Sequence, residues 1–136
     1  MKKPSYGFSV ETPLPVEEAE AQVKELLKAE GFGVLTEIDV EGTLRDRLGV
    51  EFRPYRILGA CNPPLAHRAL QAEPDIGLLL PCNVVVEASP SGGSRVSFLD
   101  PRVALGLVGN PELEPVAADA AQRLGRVADR LSAAAA

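Results

Sequence analysis

Apolar and polar residues alternate at the start of the chain and then change to a helical spacing. Tyr6, Phe8 and Val10 alternate with small residues, which predicts a half-buried strand that ends before Pro13. From residue 15 to residue 30 the apolar positions recur every three or four residues, namely Val16, Ala19, Val23, Leu26 and Leu27. This spacing predicts an amphipathic helix directly after the first strand.

The same reading of the remaining chain predicts four further strands and three further helices. We expect strands over residues 32–40, 52–60, 76–88 and 94–99, helices over 43–49, 62–73 and 111–132, and a loop over 100–110. Apolar residues on both faces of 76–88 indicate a central strand, with Cys82 in its middle. The element order predicts one α+β domain over residues 1–136, in which an antiparallel sheet carries its helices on one face.

Composition and charge narrow the classes of protein that this chain can be. Of its 136 residues 46% are hydrophobic and 24% are charged, which is typical of a globular domain. The net charge of −5 argues against nucleic-acid binding, because that binding depends on a positive surface. We find no apolar run long enough to cross a membrane and none behind the N-terminal lysines, so we expect a cytoplasmic protein without a membrane partner.

Two Cys-Asn segments carry a family resemblance. Residues 55–67 and 76–86, supported by residues 33–40 and by Asp100-Pro101, resemble the signature of the domain-of-unknown-function 302 family. The resemblance implies a TATA-binding-protein-like fold and a homodimer. It implies no established reaction, substrate or cofactor, so we expect no cofactor.

The two cysteines are the main candidates for chemistry. Asn62 is a good helix N-cap and Pro63 suits the first helical position, so Cys61 lies at the start of a helix. Free backbone amides and the helix dipole would stabilise a thiolate there. Cys82 could join Cys61 as a redox partner or as a soft-metal ligand. The alternative is that both cysteines are small buried core residues.

Other polar residues could contribute to a ligand site. Glu37 and Asp39 are two residues apart on a strand and therefore share a face, where they could act as acid and base, bind a cation or form ion pairs with arginines. Tyr55 and Arg56 could hold an anion, although a salt bridge is the simpler role for Arg56. His67, the single histidine, could be a general base, a ligand or a surface residue.

Three kinds of function fit these residues. The first is a dimeric protein that binds a small ligand or ion near Cys61. The second is a thiol-dependent redox protein or sulfur carrier that uses Cys61 and Cys82, and the third is a structural interaction module. The sequence contains no catalytic triad and no metal-ligand cluster, which favours binding over catalysis and predicts no bound metal.

Overall fold

The computed structural model describes residues 5–135, with side chains for residues 5–132. It contains a five-stranded antiparallel sheet in the order β1-β5-β4-β3-β2. The strands are β1 (Gly7–Thr12), β2 (Gly33–Asp39), β3 (Tyr55–Cys61), β4 (Cys82–Ala88) and β5 (Ser94–Leu99). The helices are α1 (Val16–Ala29), α2 (Val40–Leu48), α3 (Pro63–Ala72), α4 (Pro101–Gly106) and α5 (Glu114–Ala135), with 3-10 helices at Pro74–Leu79 and Pro111–Leu113.

The core lies between one face of the sheet and the helices. Leu58, Val84 and Phe98 stand in register across β3, β4 and β5 and are almost completely buried. Helices α1 and α5 pack against this face through buried side chains such as Leu27 and Leu124. Burying each such side chain contributes about 1.5–3 kcal/mol. The predicted α+β class with an antiparallel sheet is confirmed, and the architecture is compatible with a TATA-binding-protein-like fold.

The opposite face of the sheet is only partly buried. Ile57 and Val85 face each other there in the register of β3 and β4, and Ser9 and Ser97 share a hydrogen bond of 2.9 Å between their hydroxyl groups. Ile38, on the edge strand β2, is 48% exposed. We call this surface the half-exposed face of the sheet.

The prediction of one long strand over residues 76–88 is wrong at its beginning. Residues Pro74–Leu79 form a 3-10 helix, a cis peptide bond joins Leu80 to Pro81, and β4 begins at Cys82. A proline suits the first turn of such a helix because its missing N–H is not needed there. Cys82 therefore lies at the start of a strand and not in its middle.

The prediction of a loop over residues 100–110 is also wrong. Helix α4 begins after Asp100, whose side chain accepts a hydrogen bond of 3.0 Å from the backbone N–H of Arg102. Pro101 occupies its first position, as Pro63 does in α3. The short helix α2 likewise begins earlier than predicted, because Asp39 is its N-cap. The N-terminal prediction rests partly on residues 1–4, which lie outside the described residues; within the described part, no helix could span a membrane.

Candidate functional site

A cavity of about 300 Å³ lies where the ends of β3 and β4 meet helices α3, α4 and α5. Cys61, Asn62 and Cys82 all contribute to its wall. Apolar side chains supply most of the remaining wall, among them Phe32, Leu65, Leu80, Leu105 and Val116. The cavity is thus the place where the two Cys-Asn segments come together.

The two thiols occupy adjacent strand ends. Cys61 is the last residue of β3 and Cys82 is the first residue of β4, where it pairs in register with Ala60. Both cysteines are free and partly buried. The two cysteines therefore share one cavity wall.

Burial changes the acidity of one of these thiols. Desolvation raises the pKa of Cys82 to about 11, and the nearby charge of a Cys61 thiolate raises it further in the same direction. At neutral pH the Cys82 thiol is therefore protonated. A protonated thiol is a poor nucleophile, since the thiolate is the reactive form.

The expectation that free helical amides stabilise a Cys61 thiolate is wrong. The first two residues of α3, Pro63 and Pro64, have no N–H group. The next amide, that of Leu65, donates to Oδ1 of Asn62 at 3.3 Å, and that of Ala66 donates to the Asn62 carbonyl oxygen at 2.9 Å. Residues 63–66 therefore offer no free N–H to the sulfur.

Asn62 has a structural role that explains its burial. Besides capping α3, it donates from Nδ2 to the backbone oxygen of Glu30 at 3.4 Å, which joins the start of α3 to the end of α1. The same oxygen accepts from Nη1 of Arg123 at 3.0 Å, which adds α5 to this junction. Each end of the Asn62 amide therefore has one protein partner.

His67 does not belong to the cavity. It lies on the exposed side of α3 and is absent from the cavity wall, whereas Leu65 and Ala69 on the same helix point inward. A role as a general base for a cavity-bound molecule has no support in this position. The surface alternative describes the observed position of His67.

Glu37 and Asp39 share a face of β2, as their spacing predicted, but each has a protein partner. Glu37 forms an ion pair with Lys24 of α1, and this hydrogen bond raises the pKa of Lys24. Asp39 accepts from the backbone N–H of Gly42 at 3.0 Å and lies 3.8 Å from Nε of Arg56. Arg56 also contacts Glu20 at 3.4 Å. These ion pairs join β2 and β3 to α1 on the exterior of the cavity.

Tyr55 and Arg56 project from opposite faces of the sheet because they are neighbours on one strand. The two side chains therefore cannot grip one anion between them, and the salt-bridge role of Arg56 is the one observed. Tyr55 packs edge-on against Phe52, with 6.0 Å between the ring centroids. The guanidinium of Arg53 lies 5.5 Å from the Tyr55 ring, and burial raises the pKa of Tyr55.

Comparison with known proteins assigns the chain to a family. The model of the family described as domain of unknown function DUF302 matches residues 8–131. The chain belongs to the DUF302 family. It is similar to a solved structure, the uncharacterized conserved protein DUF302 from Bacillus stearothermophilus, with 32% identity and a TM-score of 0.87. The match covers 94% of this chain and 99% of that one, and no curated protein matches.

Membership in DUF302 confirms the resemblance found in the sequence and adds no activity. Within the described residues of this DUF302 chain, no group of three or more histidine, cysteine, aspartate or glutamate side chains could hold a metal ion. Among the described residues that line the cavity, the two cysteines are the soft ligands. The chemistry of the site therefore follows from the shape and lining of the cavity.

Sequence reasoning missed much of the cavity wall of this DUF302 domain. Leu80 follows the unpredicted 3-10 helix, Leu105 belongs to the unpredicted helix α4, and Leu35 is an extra residue in β2. The Asp100-Pro101 pair was a usable signal, because it repeats the capping chemistry of Asn62-Pro63. No feature of the sequence indicated that Leu35 would line the cavity.

Proposed function

We propose that this DUF302 protein binds a small molecule in the cavity beside Cys61 and Cys82. The observation that carries this proposal is the cavity itself, whose volume of about 300 Å³ reaches the lower end of the range for small-molecule sites. Three residues singled out by the sequence, Cys61, Asn62 and Cys82, line it. Binding sites in small domains are commonly clefts of this kind, mostly apolar with a few polar groups.

Binding is better supported than catalysis by the surroundings of the thiols. The pKa of Cys82 is raised to about 11, so a resolving thiolate at this position is scarce at neutral pH. The first amides of α3 are missing or already bonded, and His67 lies outside the cavity. These features leave Cys61 without an evident activating partner.

A ligand screen by thermal unfolding tests the proposal. A compound that prefers the folded state raises the melting temperature in a concentration-dependent manner. The variant Ala66→Leu places extra side-chain volume in the cavity wall and should abolish the response, whereas Ala21→Leu on the exposed side of α1 should retain it. A diverse library without hits, or hits that Ala66→Leu leaves unchanged, would contradict binding at this site.

A thiol-exchange function is the second candidate, because both cysteines line the same cavity. Oxidised glutathione would convert both thiols to one disulfide and would itself be reduced to two glutathione molecules. Intramolecular disulfide detected by mass spectrometry, at the glutathione potentials of a cell, would support this candidate; persistent free thiols would contradict it.

We also propose that the protein forms a homodimer through the half-exposed face of the sheet. Ile57, Val85 and Ile38 present apolar surface there, and such surfaces commonly mark contact sites. Sedimentation should give a dimer for the natural protein and a monomer for Val85→Arg, while Glu25→Arg on α1 should stay dimeric. A natural protein that sediments as a monomer would contradict the proposal. We propose a cytoplasmic location, because two cysteines are too few for the disulfide framework typical of secreted domains.

A further inference from the structure

We infer that the cavity takes an uncharged, apolar molecule and that Leu35 closes over it. This inference rests on the proposed binding function and names the chemical class of the ligand. It depends on three features of the cavity wall, namely the absence of charged side chains, the occupied amide of Asn62 and the unusual position of Leu35.

No charged side chain contributes to the described cavity wall. The residues around it are apolar, with Asn62 and the two cysteines as the exceptions. A carboxylate or ammonium group that enters an apolar site without a partner loses its hydration and gains no compensating charge. A charged ligand is therefore strongly disfavoured in the interior of the cavity.

The polar groups of the wall are also poor partners for a polar ligand. Asn62 is only 7% exposed, and its amide already donates to Glu30 and accepts from Leu65, so little of it is open to a ligand. A thiol is only a weak hydrogen-bond donor and acceptor. Because burial keeps Cys82 protonated at neutral pH, this sulfur adds no charge either. A ligand with several hydrogen-bonding groups would leave them unsatisfied.

Leu35 supplies the apolar surface that completes the site. Val34 pairs with Ala60 and Thr36 pairs with Gly59, so Leu35 is the extra residue of a β-bulge. Bulges redirect side chains out of the regular alternation of a strand. Leu35 contributes to the cavity wall while 68% of its surface is exposed, and Leu70 on α3 is a second wall residue that is 42% exposed.

The bulge is held in place by close packing beside it. A Cβ atom on Gly59 would lie 2.2 Å from Oγ1 of Thr36, which shows that the Thr36 side chain rests directly over the glycine. This contact accompanies the pairing of Thr36 with Gly59 on the C-terminal side of Leu35. The exposed leucine is thus presented at the cavity by a defined backbone, and an apolar ligand would bury its side chain.

A matched pair of probes tests the ligand class on the full chain. Butylbenzene and phenylbutyrate share a ring and a four-carbon chain, but the second ends in a carboxylate. We expect calorimetry to detect butylbenzene binding, with phenylbutyrate weaker by at least about tenfold because its charge must be desolvated. Equal affinity for the two probes would overturn the inference while leaving the proposed binding function intact.

Two leucine variants test the role of Leu35. Leu35→Ser should weaken butylbenzene binding by roughly tenfold, since the apolar contact is lost. Leu78→Ser is the control, because Leu78 is 88% exposed and lies outside the wall of this cavity. Leu35→Met should retain the affinity, which separates lost contact from a disturbed bulge. Equal affinities for the natural protein and Leu35→Ser would overturn the role of Leu35. If neither probe binds and the melting screen finds no ligand, the proposed function itself fails.

Discussion

The side chain of Asn62 accepts a hydrogen bond from the backbone N–H of Leu65, with 3.3 Å between Oδ1 and N. This bond closes the first turn of α3, whose preceding positions are occupied by Pro63 and Pro64. The positive end of a helix acts mainly through unsatisfied N–H groups, and here they are absent or bonded. The first turn of α3, from Pro63 to Leu65, therefore has no free N–H group for the Cys61 thiol.

Replacement of Asn62 should reveal this capping role as lost stability. We expect Asn62→Ala to lower the free energy of unfolding by about 1–2 kcal/mol, since the cap of α3 disappears. Asn62→Asp should retain part of the stability because its carboxylate can still accept from Leu65. Urea unfolding measures both values, and Asn83→Ala at the exposed asparagine of β4 is the control. An unchanged stability in Asn62→Ala would contradict the role.

Cys82 should react slowly with alkylating reagents at neutral pH. Its pKa of about 11, against an ordinary value of 9.0, lowers the thiolate fraction about a hundredfold at pH 7. Iodoacetamide labelling followed by peptide mass spectrometry should show this deficit in the folded protein and its loss in denaturant. Labelling of Cys82 at the rate found in denaturant would show that the thiol is not desolvated.

Alkaline pH should destabilise the protein through the same thiol. The unfolded chain loses the Cys82 proton near pH 9, whereas the folded protein retains it until about pH 11. The stability contributed by the neutral thiol is therefore complete below pH 9 and is lost as the pH rises to 11, by up to about 3 kcal/mol.

Comparison with the variant Cys82→Ser separates the contribution of this thiol from those of other groups that titrate at alkaline pH. Lys24 and Tyr55, whose pKa values are also raised, titrate in the same alkaline region. Cys82→Ser lacks the thiol but keeps these groups, so its stability should fall less steeply between pH 9 and pH 11. Urea unfolding gives the free energy of unfolding of both proteins at each pH. An equal decrease in the two proteins between pH 9 and pH 11 would contradict the prediction.

Gly59 should not tolerate a side chain. A Cβ atom at this position would approach Oγ1 of Thr36 to 2.2 Å and Cγ of Pro81 to 2.8 Å. We expect Gly59→Ala to cost about 1–3 kcal/mol in the free energy of unfolding, as overpacking commonly does. Gly33→Ala on the same sheet is the matched control, since a Cβ there meets nothing within 4 Å. Thr36→Ala in the Gly59→Ala background should recover part of the loss.

The regular part of the fold was predictable because local patterns and tertiary packing agree. Val16, Ala19, Val23 and Leu27 of the predicted apolar face of α1 are buried, and β5 has its predicted bounds. The run 76–88 misled because its first apolar residues, including Ile76, pack from a 3-10 helix into the same core as a strand would. A run of apolar residues predicts that a segment is buried more reliably than it predicts whether that segment is a strand or a helix.

The sequence pointed to the two Cys-Asn segments of the cavity wall but not to Leu35. Cys61, Asn62 and Cys82 line the cavity because two helix and strand boundaries converge there. The acidity inferred for Cys61 ignored that Pro63 and Pro64 remove the amides on which it depends. Leu35 could not be predicted, since a bulge depends on how one strand matches its neighbour and not on its own sequence pattern.

The bulge in β2 also bears on how the molecule avoids unwanted assembly. β2 is an outer strand of the sheet, and its free N–H and C=O groups could template the addition of a foreign strand. An extra residue at Leu35 breaks the even repeat of those groups and increases the local twist. The bulge thereby disfavours edge-to-edge aggregation through β2.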